Sequence, residues 1–208
     1  MRTQTKEIQM SLTPQRALEI LKEGNQRFIN NLKANRNLLQ QVNETSTGQF
    51  PFATILSCID SRTSAELIFD QGLGDIFSIR IAGNILNEDI LGSMEFATKV
   101  SGTKIIVVLG HTKCGAIVGA CNHVEMGNLT TLLNKIQPAI YHEKETKENR
   151  TGTNEQFVKN VTNHNVHLTI ERIRRESPII AELESEGKLL IIGALYEVES
   201  GKVIFFDK

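Results

Sequence analysis

The chain has little of several things, and each shortage excludes something. Its 208 residues hold only three cysteines and no tryptophan. An odd, small cysteine count cannot build a disulfide framework, so Cys58, Cys114 and Cys121 read as thiols or metal ligands. Neither sign of charge dominates: the formal net charge is −1, which argues against nucleic acid and anionic membranes as partners. No apolar run approaches the length of a membrane span. Residues 1–10 are polar and lack the apolar core of a signal peptide, so the expected location is the cytoplasm. There is also no internal repeat, low-complexity block or linker. A single domain over residues 1–208 is expected.

What is present alternates. Nearly continuous apolar runs at 52–57, 76–79, 104–109 and 188–195 read as strands covered on both faces. Helical patterns fall at 63–69, 88–100, 114–123, 129–140, 155–176 and 178–184. Residues 203–206, after a Glu199-Ser200-Gly201-Lys202 turn, read as an added C-terminal edge strand. Thr13-Pro14 is a helix start signal, and Leu21, Phe28 and Leu32 share one face beyond it. That N-terminal helical arm, about residues 12–34, packs either on its own domain or across a second subunit. Polar residues 142–154 read as a surface connection. The expected fold is α/β: a mainly parallel β-sheet flanked by helices.

Sites in such sheets form beyond the carboxyl ends of the strands. Two short motifs stand there. Cys58-Ile59-Asp60-Ser61-Arg62 follows the first run, and Gly110-His111-Thr112-Lys113-Cys114-Gly115 follows the third. If these strands are neighbours, Cys58, His111 and Cys114 converge. Two thiolates and one imidazole suit zinc, and three protein ligands leave the fourth tetrahedral position open, as a catalytic site requires. Cys114 falls at a helix start, where amides favour a thiolate. Gly110 and Gly115 allow a tight turn and close backbone approach. Arg62 can hold the Asp60 carboxylate ionised and oriented. Asp60 can then orient a zinc-bound water, or reach the metal and close the site. Taken singly, either motif is more often structural; their joint placement favours the metal. Cys121 reads as a small buried hydrophobe, and His123, His142, His164 and His167 as surface or packing residues. Gly72-Leu73-Gly74-Asp75 precedes a strand, so it is no phosphate loop.

Together, Cys58-x-Asp60-Ser61-Arg62 and His111-x-x-Cys114-Gly115 resemble the signature of the β-class carbonic anhydrases. The resemblance extends to residues 17–28, to Arg80-Ile81-Ala82-Gly83-Asn84, to Gly193-Ala194-Leu195-Tyr196 and to Gly201-Lys202-Val203. It implies reversible hydration of carbon dioxide to bicarbonate, with one zinc ion per subunit on Cys58, His111 and Cys114 and an Asp60–Arg62 dyad. It implies substrate contacts from Gln49, Phe77 and Gly115, Gln49 being supplied by a neighbouring subunit in plant-like members. It also implies a homodimer, often paired into tetramers. Ile59 and Ile81 depart from the usual Ser and Asn, which alters packing more than chemistry. Lacking tryptophan, the chain does not match the subgroup that builds an inhibitory bicarbonate site around one. Related scaffolds hydrolyse carbon disulfide or carbonyl sulfide, and a bicarbonate sensor or structural zinc module is a non-enzymatic rival. Asp60, Arg62 and Gln49 speak against the last two.

Overall fold

The computed structural model describes residues 3–207; residues 1, 2 and 208 of the expected domain lie outside the described residues. Five strands form one sheet in the order β2-β1-β3-β4-β5. They are β1 (Ala53–Ser57), β2 (Ile76–Arg80), β3 (Ile105–His111), β4 (Leu190–Tyr196) and β5 (Val203–Phe205). The first four run parallel, and β5 lies antiparallel to β4 as the expected edge strand. The mainly parallel α/β reading therefore holds. β3 and β4 each extend beyond the apolar runs that mark them, so that His111 is the last residue of its strand.

Strand alternation divides the core. Ile55, Val107, Leu109 and Ile192 face one side, where α2 (Pro14–Ile29) contributes Ala17, Leu18 and Leu21 and α4 (Ala65–Ile68) contributes Ala65 and Ile68. Leu56, Ile106, Val108 and Ile191 face the other, against Val166, Ile170 and Ile173 of α9 (Glu155–Glu176) and Ile180 of α10 (Pro178–Ser185). Each such side chain, fully buried, contributes about 1.5–3 kcal/mol of hydrophobic stabilisation. Of the expected arm, α2 spans residues 14–29 and packs on this chain's own sheet, while Leu32 lies beyond it and is exposed. Thr13 caps α2, accepting from the Arg16 amide, with Pro14 in the first turn.

The remaining helices refine the expectations. α1 (Lys6–Ser11) and α3 (Leu38–Thr45) are additional to the apolar patterns. α5 (Glu88–Glu95) continues into a π-helical turn over Phe96–Val100. α6 (Gly115–Cys121) ends two residues before the expected stop. The helix expected over 129–140 is two, α7 (Gly127–Asn134) and α8 (Gln137–His142), because Pro138 cannot continue the α7 ladder and instead starts a new first turn. The connection expected at 142–154 is only partly solvated. Glu143 is fully buried, receiving the Thr146 amide and the Arg150 guanidinium, while Arg150 also lies over the Phe157 ring. Among the described residues, no helix is long and apolar enough to cross a membrane.

From β1 the chain moves outward to β2 and then returns past β1 to lay down β3 on the opposite side. The sheet order thus reverses between β1 and β3, and a crevice opens at their carboxyl ends. Ser57 pairs with Leu109, which brings Cys58 level with Gly110 and next to His111.

Candidate metal centre

Cys58, His111 and Cys114 converge in that crevice, their ligand atoms all within 4.8 Å of one another. Among the described residues this is the one group of three that could hold a metal ion. All three are buried, His111 and Cys114 to 1% exposure. The two Sγ atoms are 3.9 Å apart. Two sulfurs on one tetrahedral zinc, each at about 2.3 Å, stand about 3.8 Å apart, so the donor set fits that ion.

His111 fits as well. Its Nδ1 lies 2.9 Å from the Thr112 carbonyl oxygen, which can only accept, so Nδ1 carries the proton. Nε2 then presents its lone pair, and it is buried without a hydrogen-bond partner. A buried acceptor left without a donor is costly, and a cation at this point removes that cost.

The thiols divide one negative charge between them. Cys58 is drawn below the ordinary thiol range, first by a hydrogen bond from Cys114, against burial, and further by the Gly83 amide, which donates to Sγ at 3.3 Å. Cys114 is pushed up, because ionising it would break that same bond and expose the burial penalty. The amides of Ala116 and Ile117 oppose this rise, as the helix start expected at Cys114 requires. Cys121, by contrast, is buried among apolar neighbours, and burial pushes its thiol up to about 11.

Asp60 and Arg62 form a closed fork. Arg62 Nε donates to Oδ1 at 2.9 Å and Nη2 to Oδ2 at 2.7 Å, while the Arg62 amide also donates to Oδ1 at 3.0 Å. The guanidinium holds the Asp60 carboxyl far below the usual carboxylate range, against partial burial. Occupied in this way, the carboxylate stands outside the Cys58–His111–Cys114 group.

Other expected positions fall elsewhere. Gln49 is exposed in a shallow cleft with Val42, Thr45 and Leu73. Phe77, on edge strand β2, lines a separate groove and meets Phe96 edge-on, ring centroids 6.3 Å apart. Neither groove is lined by Cys58, His111 or Cys114. Gly115 is exposed at the start of α6, and a Cβ there would meet nothing. Gly110 does permit close approach, since a Cβ would stand 2.9 Å from Val166 Cγ2. The turn between His111 and Cys114, however, puts its positive φ on Lys113 (56°) rather than on either glycine. Ile59 is 61% exposed, so its departure from the usual residue changes surface, not packing, within this chain.

Three further residues shape the crevice. Gly83 has φ 66°, and a Cβ there would stand 2.9 Å from Ile136 Cδ1 and 3.3 Å from Ala116 Cβ. Asn165 of α9 donates to the Gly83 carbonyl at 2.9 Å. Arg80, ending β2, donates to the backbone of the Cys58 segment. All three act on or through main-chain atoms, and the only sequence signal for any of them is the Arg80–Asn84 resemblance.

Comparison with known proteins places this geometry. The sequence profile of the family described as carbonic anhydrase matches residues 53–203. "Carbonic anhydrase 2" of Mycobacterium tuberculosis is 34% identical over 202 residues, covering 93% of each chain. A carbonic anhydrase of Mycolicibacterium smegmatis is 31% identical over 91% of this chain and 92% of its own. Among solved structures, the β-carbonic anhydrase CcaA superposes with a TM-score of 0.71 at 25% identity, over 93% of this chain and 94% of its own. One of two tetrameric β-carbonic anhydrases from Sordaria macrospora gives 0.71 at 24% identity, over 81% and 90%, which bears on the fold alone.

Proposed function

The chain belongs to the β-class carbonic anhydrases, and from that premise we propose that Cys58, His111 and Cys114 hold one zinc ion per subunit for the hydration of carbon dioxide. The observation that carries the ligand set is the buried, partnerless Nε2 of His111 beside two sulfurs at zinc-compatible spacing. Bound there, zinc supplies the Lewis acidity that makes hydroxide available near neutral pH.

The chain's own residues do the rest. Thr112 fixes the His111 tautomer through its carbonyl. Asp60, kept anionic by Arg62, can only accept; it takes the hydrogen bond of the attacking oxygen and turns a lone pair towards carbon dioxide. The same fork keeps Asp60 from competing for the metal. Gly115, with open space before it, leaves room for substrate at the mouth. The proton leaves to buffer.

Gln49 and Phe77 belong to the site of a dimer in this reading. What supports it is the β2 edge, which among the described residues pairs only with β1, and the apolar side chain beside it: Phe96, 52% exposed, lies against Phe77 of β2. A second copy laid across that edge covers this surface and brings one subunit's Gln49 to the other's crevice; pairing of dimers into tetramers extends the same assembly.

Stopped-flow hydration of carbon dioxide, measured beside zinc content, tests the assignment. Cys58→Ser and Cys114→Ser should each lose zinc and activity together. Full activity in either variant, or in metal-stripped protein, overturns it.

A further inference from the structure

We propose that Arg80 is a positioning residue for the reaction, a backbone clamp that fixes the turn carrying both a metal ligand and the Asp60–Arg62 dyad. The inference rests on the zinc reading above and adds a residue outside its ligand and dyad set. β1 ends at Ser57, whose carbonyl still receives the Ile81 amide from the β2 side. Beyond it the sheet ladder stops. The carbonyls of Cys58 and Asp60 have no strand to pair with, yet the segment they belong to must hold two functional side chains in register.

The Thr63 amide caps the Asp60 carbonyl at 3.0 Å, and Arg80 adds two donors from the end of β2. Arg80 is the last residue of that strand and reaches forward past the end of β1. Its Nε donates to the Cys58 carbonyl at 3.0 Å and its Nη2 to the Asp60 carbonyl at 2.6 Å. One planar fork thus bridges two carbonyls two residues apart. Thr63 Oγ1 closes the turn from the other side, at 3.0 Å from the Cys58 carbonyl and 2.8 Å from that of Asp60. The two arginines divide the work: Arg62 holds the Asp60 carboxylate, and Arg80 holds the main chain from which that carboxylate projects. A lysine could reach one carbonyl but, as a single point charge, could not reproduce the fork. Displacement of a catalytic group by about 1 Å costs on the order of 100-fold in rate, so a backbone clamp at this position acts on turnover more than on substrate affinity.

The test compares wild type, Arg80→Ala and Arg80→Lys as zinc-loaded protein. Three quantities are read on each: kcat and KM for carbon dioxide hydration, zinc per subunit, and hydrogen–deuterium exchange of the Arg62 and Thr63 amides, both bonded inside the turn. Arg80→Ala should keep its zinc, lose about 10- to 100-fold in kcat with KM nearly unchanged, and exchange those two amides about tenfold faster, the order expected on losing two hydrogen bonds. Arg80→Lys should recover part of both losses. Unchanged exchange and kcat in Arg80→Ala overturn the clamp, as does a kcat loss that merely tracks lost zinc or that lysine fails to relieve. A wild-type protein without zinc or hydration activity overturns the underlying function instead, and the exchange rates still decide whether Arg80 holds the turn.

Discussion

Replacing Gly83 with alanine should weaken the fold and the metal centre together, by amounts that can be separated. Two costs arise in the fold. Gly83 sits at φ 66°, where an L side chain costs about 1–2 kcal/mol. The new Cβ would also lie 2.9 Å from Ile136 Cδ1 and 3.3 Å from Ala116 Cβ. The isoleucine tip can turn aside, but Ala116 is fixed to α6, so a shift costing about 1–2 kcal/mol follows. The expected loss is therefore about 2–4 kcal/mol in metal-free protein. A further cost falls on the centre, because moving the Gly83 amide away from Cys58 Sγ removes a hydrogen bond to a charged acceptor, worth about 1–3 kcal/mol. Urea unfolding of both variants at one protein concentration, stripped and zinc-loaded, gives the two numbers. The stripped difference reads the backbone and packing cost together with the Cys58 contact already present without metal; any excess in loaded protein reads the further dependence of the centre on that contact. A stripped difference under about 0.5 kcal/mol, within the range of an ordinary surface change, would refute the strain argument.

Asp60→Asn should retain zinc and the fold while lowering kcat about 100-fold or more, since the amide no longer offers a purely accepting, anionic partner; metal analysis with stopped-flow hydration checks it. Glu143 has a pH signature of its own. Burial pushes its pKa up, but the Thr146 amide and hydroxyl, Asn160 and Arg150 outweigh it and bring the carboxyl down to about 2. A depressed pKa stabilises the fold above the unfolded value near 4.5, and that contribution, at most about 3 kcal/mol, drains away as pH falls from there towards 2. Glu143→Gln should be less stable at neutral pH and lose less on acidification, as urea titrations at several pH values would record; parallel losses in both proteins would contradict it. Phe96→Glu should put charge on the apolar surface beside β2, yielding a monomer by sedimentation that still binds zinc but hydrates carbon dioxide poorly for want of the partner's Gln49.

The sheet was readable because strands covered on both faces show as unbroken apolar runs. α9 shows its bounds equally well: Asn154 accepts from the Phe157 amide at its start, and Ser177 with Pro178 ends it and begins α10. The convergence of Cys58, His111 and Cys114 was readable because Cys58 and Cys114 stand just past strands that happen to be neighbours. Other features leave no such trace. α1 and α3 are short and polar, held by contacts distant in sequence, such as Gln9 donating to the Pro51 and Ser101 carbonyls. The roles of Arg80, Gly83 and Asn165 lie in main-chain geometry, which side-chain chemistry does not advertise. Glu143 reads as a solvated acid in a polar stretch, and only the fold shows that its partners come with it into the interior.

The reversal of strand order between β1 and β3 also bears on how the protein comes to be folded. Cys58 and Cys114 are 56 residues apart in the chain and share a centre only after β1 and β3 have paired. An ion gripping both closes a long loop, and by the entropy of a covalent cross-link of that span the closure is worth about 4 kcal/mol. The unfolded chain offers scattered thiols and no such grip. On the zinc reading proposed above, metal capture is therefore a late step, and a chain that has taken up the ion is one whose central strands have already met.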